Sequence, residues 1–195
     1  MLLGALLLGA SESRRDDLIV ARRFNAGSLV LRWIVPAGRL IIPSAMANTY
    51  TSINIHYVFS TKNREPLLVG DLQERLWAFM GGIARENGMT ARAIGGVADH
   101  VHLLISMPTT LAIAKAVQLI KGGASTWVHQ TFPYVRNFAW QEGYGAFGVS
   151  ISHLPEAIAY IANQGEHHRK KSFQEEYLAF LKKHGIAYDE KYLWT

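Results

Sequence analysis

The hydrophobic period of this chain switches between two and about 3.6 residues in a set order, and that order narrows the fold more than any single motif does. Residues 50–60, YTSINIHYVFS, place Ile53, Ile55, Tyr57 and Phe59 on one face of a half-buried strand, which TKNREP then ends. Asp71, with Glu74 three residues on, starts a helix in the manner of a capping box, and Leu72, Leu76, Phe79 and Ile83 carry it to Gly88. MTARAIGGVADHVHLLISM, residues 89–107, holds two strand patterns around Val97-Ala98-Asp99 and predicts a hairpin-like pair. Thr109 or Thr110 caps the next helix, whose stripe is Ile113, Val117 and Ile120 and which Gly122 and Gly123 weaken. A last strand falls around Tyr144 to Val149. Pro155 sits in the first turn of a helix that continues through EAIAYIANQGEHHRKK to a basic end. Ser172 with Glu175 makes a second capping box before FQEEYLAFLKKHG, which Gly185 stops. The order β, α, β, β, α, β, α, α predicts an α+β fold with a ferredoxin-like (split βαβ) antiparallel sheet, helices on one face, and further helices at the C-terminus.

Composition trims the chemistry such a fold could host. The chain has no cysteine, which removes disulfide scaffolds, thiolate metal sites and thiol nucleophiles, and fits a reducing, cytoplasmic setting. Any metal must be held by nitrogen or oxygen. The +5 net charge is uneven: Arg14, Arg15, Arg22, Arg23, Arg32 and Arg39 against Glu12, Asp16 and Asp17 put +3 into residues 1–45. All eight histidines and all eight lysines lie beyond that stretch. The opening apolar run, at about nine residues, is far short of the ~20 that span a membrane, and nothing basic precedes it as in a signal peptide. We therefore expect residues 1–45 to be an unstructured or loosely packed extension, or upstream reading frame with Met46 as the natural start. Residues 46–195 form a single domain on this reading.

Two spacings carry chemistry. In a strand, residues i and i+2 project from the same face, so His100 and His102 stand side by side while Val101 points away. Paired neutral imidazoles suit a divalent ion, but they also suit a buried pair hydrogen-bonded to backbone. Tyr160 and Gln164, four apart, share a helix face, which offers a phenol nucleophile and a hard amide oxygen; a core tyrosine and a surface glutamine would show the same spacing. Gly143, Gly145 and Gly148 match the dinucleotide glycine pattern but sit in a strand-like aromatic segment with no helix opening after it, so no nucleotide cofactor is expected. Lys62, Arg64, Lys115, Lys121, Arg169, Lys170 and Lys171 are candidate phosphate contacts, or simply solvated charges. The aromatics from Trp127 to Phe147 could stack unpaired bases or fill the core. His167 and His168 read as helix-end or DNA-contacting residues rather than ligands, and His56, His129, His153 and His184 show no interpretable spacing.

YTSINIHYVFSTKNREP, GGVADHVHLLISMP, WQEGYGAFGVS and YIANQGEHHRKKSFQEEYLAFLKKHGI, in that order, resemble the single-tyrosine HUH transposases of small bacterial insertion sequences that move as single-stranded DNA, including relatives of the REP-associated tyrosine transposases. The likeness covers residues 46–195. It implies a metal site at His100, His102 and Gln164 holding Mg or Mn, with Tyr160 as the nucleophile. It further implies a homodimer and a single-stranded DNA partner with hairpin ends. The expected reaction is metal-dependent cleavage and rejoining through a 5′-phosphotyrosine. A non-catalytic single-strand or hairpin-binding module, and a metal phosphodiesterase that uses water, are the alternatives.

Overall fold

The computed structural model describes residues 50–169 and 171–193. The expected extension 1–45, Met46 and the candidate Lys170 lie outside them. The described chain runs β1 (Asn54–Ser60), α1 (Gly70–Glu86), β2 (Thr90–Val97), β3 (His100–Ser106), α2 (Ile113–Thr131), β4 (Gly145–Gly148), α3 (Leu154–Ala162), α4 (Gln164–His167), α5 (Phe173–Lys183) and α6 (Glu190–Leu193). The sheet order is β2-β3-β1-β4, antiparallel throughout. This is the ferredoxin-like order that the alternating periods predict.

Odd-numbered residues of the two central strands, Ile55, Tyr57, Phe59, Val101, Leu103 and Ile105, face the main core with Leu72, Leu76 and Met80 of α1 and Val117, Ile120 and Val128 of α2. The even-numbered face is covered as well. Val58 packs with Phe147, Phe173 and Leu181, while Leu104 packs with Leu154 and Ile161. β1 is therefore buried along its whole length rather than half-buried, because the C-terminal helices take the second face. Alternation along β1 and its neighbour β3 separates a core face from a face carrying His56, His100 and His102.

Local starts and stops differ from expectation in three places. α1 begins at Gly70, whose φ of +57° only glycine adopts freely, so Asp71 is not the cap; it lies in the first turn and accepts from Arg75 at 3.0 Å. α2 is preceded by Ala112 rather than by either threonine, and its glycine pair does not break it. A Cβ on Gly123 would stand 2.8 Å from Ile83 Cδ1, so that glycine exchanges helix propensity for close packing of α2 on α1. The tyrosine helix, expected to be continuous, is interrupted at Asn163. The capping box of Ser172 and Glu175 is present, and Gly185 follows α5 with φ +63°. Among the described residues no helix is long and apolar enough to cross a membrane.

α3 rests on the sheet through Gly95 of β2. A Cβ there would lie 2.4 Å from the carbonyl oxygen of Ile161 and 3.0 Å from its Cγ2. Gly95→Ala must push α3 away from the strand, and we expect a loss of about 3 kcal/mol, at the upper end for overpacking. The urea midpoint of the variant measures it.

Candidate metal centre and nucleophile

β3 delivers His100 and His102 to the second face of the sheet, both fully buried. Each ring is oriented from behind. Arg64 donates from Nη2 and Nε to Asp99 Oδ2 at 2.6 and 3.1 Å, and Asp99 Oδ1 accepts from His100 Nδ1 at 2.7 Å. Although burial opposes it, those donors hold the Asp99 carboxyl down to about 2, so it is an anion at neutral pH. His102 Nδ1 lies 3.0 Å from His56 Nε2, and burial sets both rings well below the usual imidazole range, His56 at about 3. They are neutral near pH 7, the form in which imidazole donates a lone pair.

The C-terminal helices close over these rings. Tyr160 on α3 is half-buried, its ring 5.8 Å from that of His102, 5.1 Å from that of His167 and 6.0 Å from that of Phe180, centroid to centroid. Gln164, the first residue of α4, is buried and donates through Nε2 to Glu176 Oε1 at 3.3 Å. The four residues singled out by spacing, Tyr160, Gln164, His100 and His102, thus meet at one place in one chain.

Two residues that the sequence reading did not assign join them. Glu176, on the first turn of α5 and 2% exposed, brings Oε2 to 3.4 Å from His102 Nε2 and 3.3 Å from His168 Nε2. His168, read from sequence as a helix-end or DNA-contacting residue, instead turns inward: its Nε2 is 2.9 Å from His100 Nε2, while its Nδ1 donates to the Lys171 carbonyl at 2.9 Å. Burial pushes the Glu176 carboxyl up to about 7 and the His168 imidazole down to about 4. No sequence signal marks Glu176, because an acid in the first turn of a helix is ordinary dipole complementation. His56 was equally invisible, since its partner is 46 residues away.

A metal fits this donor set. His102 Nε2, Gln164 Oε1 and Glu176 Oε2 are buried with no hydrogen-bond partner. An unpaired buried polar atom is costly, and unpartnered atoms on these three side chains are what a bound cation would satisfy. Beside them lies a cavity of about 480 Å³ whose walls include Tyr160, Glu176, His167, Lys171, Phe147 and Phe180.

The candidate phosphate contacts are distributed differently. Lys171 lines that cavity. Arg64 is committed to Asp99 and lies 5.1 Å over the Phe173 ring. Lys121 donates to the carbonyls of Gln141 and Gly143 at 2.6 and 2.8 Å, and burial lowers its pKa. Both cations therefore stabilise the protein itself. Lys62 and Lys115 are exposed, as is Arg169, which pairs with Glu166 at 3.2 Å.

Comparison with known proteins bears on the same residues. A family model described as "Transposase IS200 like" matches residues 49–164. The ISDra2 transposase TnpA of Deinococcus radiodurans is 28% identical over 88 residues, which are 45% of this chain and 63% of that protein, so the likeness spans less than two thirds of that relative's length. A crystal structure of a candidate transposase from Deinococcus radiodurans R1 superposes with a TM-score of 0.52 at 25% identity, over 63% of this chain and 98% of the other. A REP-associated tyrosine transposase bound to a REP hairpin gives a TM-score of 0.48 at 16% identity, over 64% and 74% of the two chains.

Proposed function

Because the chain belongs to the IS200-like transposase family, we propose that it cleaves and rejoins single-stranded DNA with hairpin ends through a covalent bond to Tyr160. The observation that carries this reading is the placement of a half-buried phenol, on the wall of an open cavity, 5.8 Å ring to ring from a buried histidine whose Nε2 is unpartnered. A purely DNA-binding protein gains nothing from burying unpaired lone pairs beneath a tyrosine.

In the reaction, the Tyr160 oxygen attacks phosphorus in line, the P–O3′ bond breaks, and the products are a 5′-phosphotyrosine and a free 3′-hydroxyl. One phosphodiester replaces another, so a different 3′-hydroxyl can reverse the step without nucleotide fuel. Ionising a phenol of pKa about 10 at pH 7 costs about 4 kcal/mol. Lys171, on the same cavity wall, favours the phenolate and the arriving phosphate. His167 beside it has an unpartnered Nε2 and a pKa lowered chiefly by burial, and is available to take the phenolic proton. His100, His102 and Gln164 would hold the divalent ion, Mg or Mn, which when bound supplies Lewis-acid polarisation of a non-bridging phosphate oxygen. Asp99 and His56 keep the imidazoles aimed.

The reading includes a homodimer and a cytoplasmic setting. A second copy is not needed to bring Tyr160 to the histidines, and light scattering of the full chain reads whether the particle has twice the 21.7 kDa chain mass. Labelled single-stranded hairpin DNA incubated with Mn²⁺ and run on a denaturing gel tests the chemistry. A shifted covalent band is expected. Free fragments without an adduct would indicate hydrolysis by water, and no reaction would indicate a binding module. Asp99→Asn removes the anion behind His100 and should weaken Mn²⁺ binding by about 10- to 100-fold, read by calorimetry.

A further inference from the structure

We propose that the divalent-ion centre is built from three imidazoles and one carboxylate, with His168 and Glu176 of the C-terminal segment as ligands beside His100 and His102, and that it takes a transition ion such as Mn²⁺ in preference to Mg²⁺. This rests on the metal-dependent reading above, keeps its two histidines, adds two residues outside the HxH and YxxxQ spacings, and gives Gln164 the part of orienting Glu176 in place of ligation.

The assignment follows from where the ring protons must be. His168 Nδ1 is 2.9 Å from the Lys171 carbonyl oxygen, which can only accept, so the proton of the neutral ring is on Nδ1 and Nε2 carries a lone pair. His100 Nδ1 faces Asp99 Oδ1 at 2.7 Å, and Arg64 holds the other carboxylate oxygen, so Nε2 is the His100 nitrogen turned toward the centre. These two nitrogens face each other at 2.9 Å. Two ring nitrogens turned toward one point at that distance can share a proton, and a divalent cation bound by both can take its place. His102 completes the arrangement: with Nδ1 engaged by His56, its Nε2 points inward without a partner.

Glu176 Oε2, also unpartnered, lies 3.3, 3.4 and 3.8 Å from Nε2 of His168, His102 and His100. All four ligand atoms lie within 4.8 Å of one another. Ligands about 2.1 Å from one ion stand roughly 3.0–4.2 Å apart, and the three distances from Glu176 Oε2 to the imidazole nitrogens fall in that range. Gln164 donates through Nε2 to the other Glu176 oxygen, which fixes the carboxylate with Oε2 toward the histidines. Four imidazoles, His167 included, lie within 3.8 Å of this carboxylate. Imidazole nitrogen is accepted by divalent transition ions, Mn²⁺ the most weakly of them, whereas Mg²⁺ takes oxygen ligands and keeps its water.

The test is metal binding to the full chain, purified with chelator and free of DNA. Calorimetry and Mn²⁺ electron paramagnetic resonance are expected to show Mn²⁺ bound at least about tenfold more tightly than Mg²⁺. Glu176→Gln and His168→Ala should each weaken Mn²⁺ by about tenfold or more. Glu176→Gln keeps the volume of the side chain and removes a buried charge, so without metal its unfolding temperature should equal or exceed that of the parent, while the rise produced by Mn²⁺ is largely lost. A purely structural role for the carboxylate gives the opposite, a lower unfolding temperature and an unchanged Mn²⁺ response. His168→Ala, at a side chain 12% exposed, carries the same test should Glu176→Gln fold poorly. If His102→Ala abolishes Mn²⁺ binding and both other variants leave it unchanged, the four-ligand centre is wrong and the paired-histidine site stands. If none of the three changes it, the metal-dependent reading itself falls. Equal affinity for Mg²⁺ and Mn²⁺ in the parent protein overturns the preference.

Discussion

Tyr160→Phe protein is expected to bind hairpin-ended single-stranded DNA as the parent does and to form no covalent adduct, with cleavage reduced at least about 10³- to 10⁴-fold. The substitution deletes one oxygen and little else. The edge contacts of the ring with His102, His167 and Phe180 are available to phenylalanine, so stability should stay within about 0.5 kcal/mol. Rise of the unfolding temperature with Mn²⁺ should also survive, because the phenol is not among the converging buried donors. Adduct persisting in the variant would move the nucleophile elsewhere, and Tyr177, half-buried against Phe147 and Phe173 with a raised pKa, is poorly placed to replace it.

His102→Ala should fail in a different way. Cleavage is again lost by at least about 10³-fold, but now together with the metal response. Saturation with ion at about 100 times its dissociation constant stabilises the parent by about 2.7 kcal/mol, and the variant should gain almost none of this. Loss of the ring also strands His56, whose Nε2 has His102 Nδ1 as its partner, so the metal-free variant should be less stable by about 1–3 kcal/mol. Thermal unfolding with and without Mn²⁺, set beside the gel assay, separates the two variants: Tyr160→Phe loses only chemistry, His102→Ala loses chemistry and ion together. A His102→Ala protein that still cleaves would remove the imidazole pair from the mechanism.

Much of the fold was legible because the strand and helix periods are strong between residues 53 and 131 and the connections are short. The four spacing-selected site residues were legible for the same reason: each sits at a regular step of a strand or a helix. What escaped the sequence depended on contacts between distant segments. β1 looks half-buried because Asn54, His56 and Ser60 supply polar steps, yet that face is closed by α3 and α5. The interruption at Asn163 is marked only by Gly165 two residues on, and it lets Gln164 begin a separate turn pointing at α5. Glu176 looks like any acid near a helix start until α5 is laid across β3, whose His102 stands 74 residues earlier in sequence, and its carboxylate falls among the imidazoles. Asp71 and the two threonines misled in the other direction, since capping side chains are common and their presence alone does not fix where a helix begins.

The seat of α3 on Gly95 bears on how accurately the phenol is aimed. Main-chain atoms meet there with no side-chain layer between them, so the height of the tyrosine above the sheet is fixed by atomic radii rather than by a compressible cushion. Drift in the apolar residues around Leu104, Leu154 and Ile161 can soften the helix's grip while leaving that spacing unchanged. Aim is thereby partly insulated from the slow turnover of core side chains, with one missing methyl group as its gauge.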